Sequence, residues 1–106
     1  GRYVNSFEGR DFLVKELTVN SKSSISLQKH NYRSEHWMIT QGKPRITINK
    51  KKFFKKPDDS VFIPTGAIHR IENYFKKPIK IIEVQTGPIL KETDIVRFQD
   101  IYGRLK

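Results

Sequence analysis

The chain reads as a succession of short period-two alternations, broken at close intervals by turn residues. Phe12–Val19 sets Leu13, Lys15, Leu17 and Val19 on one face, with Phe12 and Val14 on the other. A polar turn, Asn20-Ser21-Lys22-Ser23-Ser24, leads into Ile25–His30, and Asn31–Ser34 connects it to the β-branched and aromatic run Glu35–Thr40. Gln41-Gly42-Lys43-Pro44 breaks that run. Arg45–Ile48, Lys52–Phe54 and Val61–Ile63 follow as short strands between Asn, Lys and Pro-Asp-Asp turns. Ala67–Tyr74 and Ile79–Thr86 form the last pair, divided at Lys76-Lys77-Pro78. Lys91–Tyr102 hints at a helical turn and reads equally as a C-terminal arm. Many short strands with turn chemistry between them predict an all-β fold, a small β-barrel or two-sheet jelly roll. With 106 residues and no repeat or linker, the expectation is one domain over 1–106 around a single modest core.

Composition narrows the chemistry. Cysteine is absent, so any metal must be held by nitrogen and oxygen ligands. No apolar run approaches the ~20 residues of a membrane span, and no secretory signal stands at the start. The expectation is a soluble cytoplasmic protein with no membrane partner. Lys+Arg 21 against Asp+Glu 11 gives +10, a balance that suits nucleic acid, anionic lipid or a phosphorylated small molecule. Part of the charge lies in Lys50-Lys51-Lys52-Phe53-Phe54-Lys55-Lys56, where rings interrupt lysines as in single-strand binders. The run ends at Pro57-Asp58-Asp59, so the simpler reading is a solvated hairpin with its phenylalanines packed inward and no nucleic-acid partner.

Two separated stretches look like halves of one metal site: Gln28-Lys29-His30 with Glu35 and Gly42, and Pro64-Thr65-Gly66-Ala67-Ile68-His69 with Asn73. Side chains two apart on a strand face the same way, so Gln28 and His30 project together. Glu35 heads a face shared with Trp37 and Ile39, and His69 shares one with Ala67 and Ile71. Polar groups turned into a barrel are costly unless paired, and one divalent metal would satisfy Gln28, His30, Glu35 and His69 together. Each of the four taken alone reads as an ordinary hydrogen-bonded or surface residue; the spacing of the set favours ligation. His36 alternates to the opposite face and reads as packing or surface.

This arrangement resembles the cupin superfamily. The first motif is matched by Gln28, His30, Glu35 and Gly42, and the second by Pro64, Gly66, His69 and Asn73. Asp58 stands where the second motif usually opens with Gly, and Gln28 replaces the first histidine. The resulting Gln-His-Glu-His set is similar to that of phosphomannose isomerases. Ser26-Leu27-Gln28, Arg33-Ser34-Glu35-His36-Trp37, Ile63-Pro64, His69-Arg70, Ile82-Glu83-Val84-Gln85-Thr86-Gly87, Asp94-Ile95-Val96-Arg97 and Asp100-Ile101-Tyr102-Gly103-Arg104 resemble the type II enzymes over essentially the whole chain. Asn31 and Tyr32 depart from that pattern, which continues with further histidines.

The resemblance implies a cupin jelly roll at the C-terminal end of a bifunctional chain, behind a mannose-1-phosphate guanylyltransferase domain whose nucleotide-binding signature is missing here. It implies a metal-dependent isomerase that interconverts mannose 6-phosphate and fructose 6-phosphate in polysaccharide precursor synthesis, holding one zinc, manganese, cobalt or iron ion. The partners it implies are a phosphosugar, the N-terminal domain and a second copy in a homodimer. Such a reaction needs a base and cations for a phosphate. Lys15 and Glu83, polar groups on apolar faces, are the candidates for proton transfer; Arg33, Arg70, Arg97 and Gln85 are the candidates for substrate contacts. The alternative is a cupin that binds a sugar or nucleotide-sugar without turnover.

Overall fold

The computed structural model describes residues 2–8, 12–88, 90 and 94–98. Ten strands run through them: β1 (Arg2–Glu8), β2 (Phe12–Val19), β3 (Leu27–Lys29), β4 (Ser34–Gln41), β5 (Arg45–Ile48), β6 (Lys51–Phe54), β7 (Ser60–Ile63), β8 (His69–Glu72), β9 (Ile79–Thr86) and β10 (Val96–Phe98). They form two five-stranded sheets, in the orders β1-β2-β9-β4-β7 and β10-β3-β8-β5-β6. Every described strand pair is antiparallel. This is the two-sheet jelly roll that the alternations predict.

Alternation decides what each sheet buries. On β9, Ile79, Ile81, Glu83 and Gln85 point inward, while Lys80, Ile82, Val84 and Thr86 do not. On β4 the inward set is Glu35, Trp37 and Ile39. The core between the sheets gathers Val19, Trp37, Ile39, Ile46, Val61, Ile63, Ala67, Ile71, Ile79 and Ile81, with Leu17, Ile25, Ile48 and Phe53 packed against it. Burial of these side chains, about 1.5–3 kcal/mol for each of the larger ones, is the main force holding the sheets together.

The connections use the turn chemistry that the sequence carries. Asn49, at φ 55°, and Lys50 join β5 to β6, and Asn49 Oδ1 accepts the Ile68 amide at 3.1 Å. Asp58 sits at φ 76°, the left-handed region that explains why the motif usually has glycine there. Asn73 closes the second motif structurally: its Nδ2 donates to the carbonyls of Val19, Asn20 and Lys77, and its Oδ1 accepts the Phe75 amide.

Four features depart from the sequence reading. Strand β1 is not among the predicted elements; a register shift between Tyr3 and Ser6 interrupts its pairing with β2. Val96–Phe98, inside the stretch with the helical hint, is a strand on β3; residues 91–93 and 99–102 of that stretch lie outside the described residues. The strands around His30 and His69 are shorter than predicted, leaving His30 just past the end of β3. Finally, only one phenylalanine of the lysine hairpin packs inward. Phe53 reaches the core, but alternation turns Phe54 out to 56% exposure, near the rings of Tyr74 (6.4 Å) and Phe75 (6.2 Å).

Candidate metal centre

One end of the space between the sheets is polar. Across β2, β9 and β4, Lys15 stands opposite Glu83 and Glu83 opposite Trp37. One step along, Leu13, Gln85, Glu35 and Ile63 form the neighbouring row. The facing sheet aligns Arg97, Gln28, His69 and Ile48 across β10, β3, β8 and β5. Directly opposed residues put their side chains on one face, so carboxylates from one sheet meet imidazoles from the other.

His30, Glu35 and His69 are buried, and one ligand atom from each lies within 4.8 Å of the others. His30 Nε2 is 3.2 Å from Glu35 Oε2. The rings of His30 and His69 are 5.1 Å apart, and those of Trp37 and His69 stand nearly perpendicular with centroids 5.5 Å apart. Each histidine has Nδ1 on a backbone carbonyl: His69 on Ala67 at 3.0 Å, His30 on Asp94 at 2.6 Å. Burial lowers both imidazole pKa values, that of His69 to about 4, so both rings are neutral near pH 7. Gln28 is half-buried, and its amide nitrogen bonds back to Ser26 O at 3.2 Å. Its donor end is therefore engaged, and its acceptor end is the one suited to ligation.

Two neutral imidazoles, a carboxylate and an amide oxygen are hard-to-borderline donors suited to a first-row divalent ion. Bonds of about 2.0–2.2 Å place tetrahedral ligands roughly 3.3–3.6 Å apart. The His30, Glu35 and His69 ligand atoms all lie within 4.8 Å of one another, and the register sets Gln28 opposite His69, so the donor set fits such an ion once Arg33 gives up the His30 lone pair.

Around the cluster lies a second acid. Glu83 is buried beside Glu35, and Trp37 Nε1 bridges the two, 3.0 Å from Glu35 Oε1 and 3.1 Å from Glu83 Oε1. Gln85 Nε2 donates to Glu83 Oε2 at 2.6 Å. Burial, and then the charge of Glu35, push the Glu83 carboxyl up to about 7. It can therefore hold or release a proton near neutrality. Lys15, 4% exposed, is its cross-strand neighbour.

The arginines divide. Arg33 is buried inside the centre, with Nε donating to Glu35 Oε2 at 3.0 Å and Nη2 3.1 Å from His30 Nε2. That His30 lone pair serves either the guanidinium or a metal, not both. Arg97 is exposed and faces the same side as Gln28. Arg70 requires a correction as a substrate contact: it neighbours His69 on β8, so alternation sends it to the outer face, where it donates to Ser24 Oγ at 3.1 Å. His36 is exposed and stacks on Phe62 at 4.6 Å, outside the centre as expected.

Sequence reasoning gave no role to Trp37 or Asp94. Trp37 had a usable signal, since an indole N–H on an inward face needs a partner and Glu35 lies two residues away on that face. Asp94 had none nearby, because the group it serves is 64 positions distant.

The two-sheet jelly roll and its inward His-Glu-His cluster define a cupin-type domain that could hold a metal ion. The fold agrees with a solved double-stranded β-helix protein from Klebsiella pneumoniae, matched with a TM-score of 0.79 at 15% identity over 93% of this chain and 86% of that one. Residues 1–100 match the family model described as "Mannose-6-phosphate isomerase C-terminal", and the chain belongs to that family. Among its relatives are the alginate biosynthesis protein AlgA of Pseudomonas putida, 42% identical over 98% of this chain and 21% of its own length. Another is the mannose-1-phosphate guanylyltransferase ManC of Salmonella typhimurium, 41% identical over 99% of this chain and 22% of its own length. The chain thus spans about a fifth of the curated relatives it matches. No helix among the described residues is long and apolar enough to cross a membrane.

Proposed function

We propose that this domain is a metal-dependent aldose–ketose isomerase interconverting mannose 6-phosphate and fructose 6-phosphate. The observation that carries the reading is a second buried carboxyl, Glu83, joined through Trp37 Nε1 to Glu35 of the His30–Glu35–His69 cluster. Family membership and relatives named for guanylyl transfer and alginate synthesis support the same substrate class.

The reaction moves one proton from C2 of the aldose to C1, through an enediol. Glu83, ionised, accepts the C2 proton and returns it to C1, ending as it began, as a general base positioned within the site does. Gln85 and Trp37 fix its two oxygens in place. Lys15, on the same inward face, serves the accompanying proton movement between the two substrate oxygens. A divalent metal held by His30, Glu35, His69 and Gln28 would polarise the carbonyl and stabilise the developing oxyanion. Arg97 and Arg33 are the cations on this side for the phosphate, and Arg70 is not.

The parent chain, we further propose, carries a nucleotidyltransferase domain ahead of this one and works in the cytoplasm. Two copies would pair through the outer face of β4 and β7, where Met38 and Phe62 are 44% and 48% exposed. A coupled assay for fructose 6-phosphate from mannose 6-phosphate tests the activity. Turnover that disappears on chelation and in His30→Ala is expected; ligand-induced thermal stabilisation without turnover, metal supplied, would replace the isomerase with a binding module.

A further inference from the structure

The two histidines of the centre are aimed by different means. In each, Nδ1 lies on a backbone carbonyl, which can only accept, so Nδ1 carries the proton and Nε2 the lone pair. For His69 the carbonyl is that of Ala67, two residues back. For His30 it is that of Asp94, at 2.6 Å. Asp94 is itself fastened by its side chain: Oδ1 accepts the Asn31 amide at 2.8 Å and Oδ2 the Tyr32 amide at 3.0 Å. Both oxygens of its carboxylate, in a residue 7% exposed, are thus engaged by the two residues that directly follow His30. The clamp closes a ring from His30 to the Asp94 carbonyl and back through the Asp94 carboxylate. Strand β10 extends the clamp by pairing Val96 with Lys29, Arg97 with Gln28 and Phe98 with Leu27.

We propose that Asp94 is a positioning residue of the metal centre: its carboxylate clamp holds the carbonyl that fixes the tautomer and aim of His30. The C-terminal segment thereby becomes a working part of a site whose ligands all lie in the first 69 residues. The proposal rests on the metal reading above, but its tautomer component stands apart from any metal. Removing an outer partner of a ligating histidine ordinarily costs 10–100-fold in metal affinity.

The test uses the full chain, stripped of metal and then titrated with zinc. Long-range 15N–1H spectra of the stripped protein should show both His30 and His69 protonated on Nδ1. In Asp94→Ala, His30 alone should lose the pure Nδ1–H signature, and zinc affinity, measured by chelator competition, should fall roughly 10–100-fold. Asp94→Asn keeps one acceptor oxygen and should retain part of both. A wild-type His30 protonated on Nε2 overturns the proposal without any variant. So does an Asp94→Ala protein with unchanged tautomer and zinc affinity, or one in which His69 shifts along with His30, since that is general loosening. If Asp94→Ala does not fold, the wild-type and Asp94→Asn spectra decide. A His30-specific shift in a protein that never binds zinc would sink the metal reading alone.

Discussion

The two ends of the barrel are built from the same strands and differ in what those strands carry. On β9, Ile79 and Ile81 face inward at one end, and Glu83 and Gln85 at the other. On β2, Val19 takes the apolar end and Lys15 the polar one; on β4 they are Ile39 and Glu35. The backbone makes no distinction, since alternation delivers all of them inward. At the apolar end every buried group gains from leaving water. At the polar end Lys15, His30, Arg33, Glu35, His69, Glu83 and Gln85 lose water and must recover the loss through hydrogen bonds and opposite charges, among them the Ala67 and Asp94 carbonyls and the Trp37 indole, or through a bound ion. One end holds the fold together; the other is tolerated because the first is strong.

Breaking the polar end should hit activity hardest. Glu83→Gln removes the proposed base and should lower kcat by about 10²–10⁴-fold with metal content unchanged, measured in the coupled assay and by elemental analysis. At the apolar end, Ile81→Ala should destabilise by about 2–5 kcal/mol, read by urea unfolding, with near-normal turnover per folded molecule. The two substitutions would then separate chemistry from stability within one strand.

A smaller effect sharpens the contrast through pH. In the stripped protein Glu83 titrates near 7 when folded against an ordinary 4.5. Between those values the folded chain holds a proton that the unfolded chain has lost, so this group favours folding more as pH falls. His69, lowered to about 4 from 6.5, does the opposite: the unfolded chain binds a proton that the folded chain refuses, and stability drops as pH falls through that window. The two trends oppose each other in wild type. Relative to wild type, Glu83→Gln should gain stability as pH rises from 4.5 to 7.5 and should lose that advantage toward pH 4.5. An unchanged pH profile would contradict the burial assigned to Glu83. Least of all, Arg70→Ala should leave turnover within about twofold and stability within about 0.5 kcal/mol, since Arg70 lies outside the barrel.

Much of this division was legible in the sequence. Period-two alternation placed Lys15, Glu83 and Gln85 on inward faces beside aliphatic residues, and motif spacing brought Gln28, His30, Glu35 and His69 to one end. The same alternation, applied to the residue after His69, would have excluded Arg70. What the sequence did not disclose depends on three-dimensional pairing. The pairing of β1 with β2, with its register shift between Tyr3 and Ser6, is one such case. Phe53 and Phe54 are both aromatic, and only the register of β6 on β5 tells which faces in. The Asp94 clamp joins residues with no local relation at all.

The most direct measurement is the isomerase rate of metal-stripped protein titrated with a divalent ion such as zinc, manganese or cobalt. The polar end, as described, predicts a rate near zero that rises and saturates at one ion per chain, with His30→Ala and His69→Ala failing to respond. Full activity in the stripped protein, or saturation unaffected by either histidine, would contradict it.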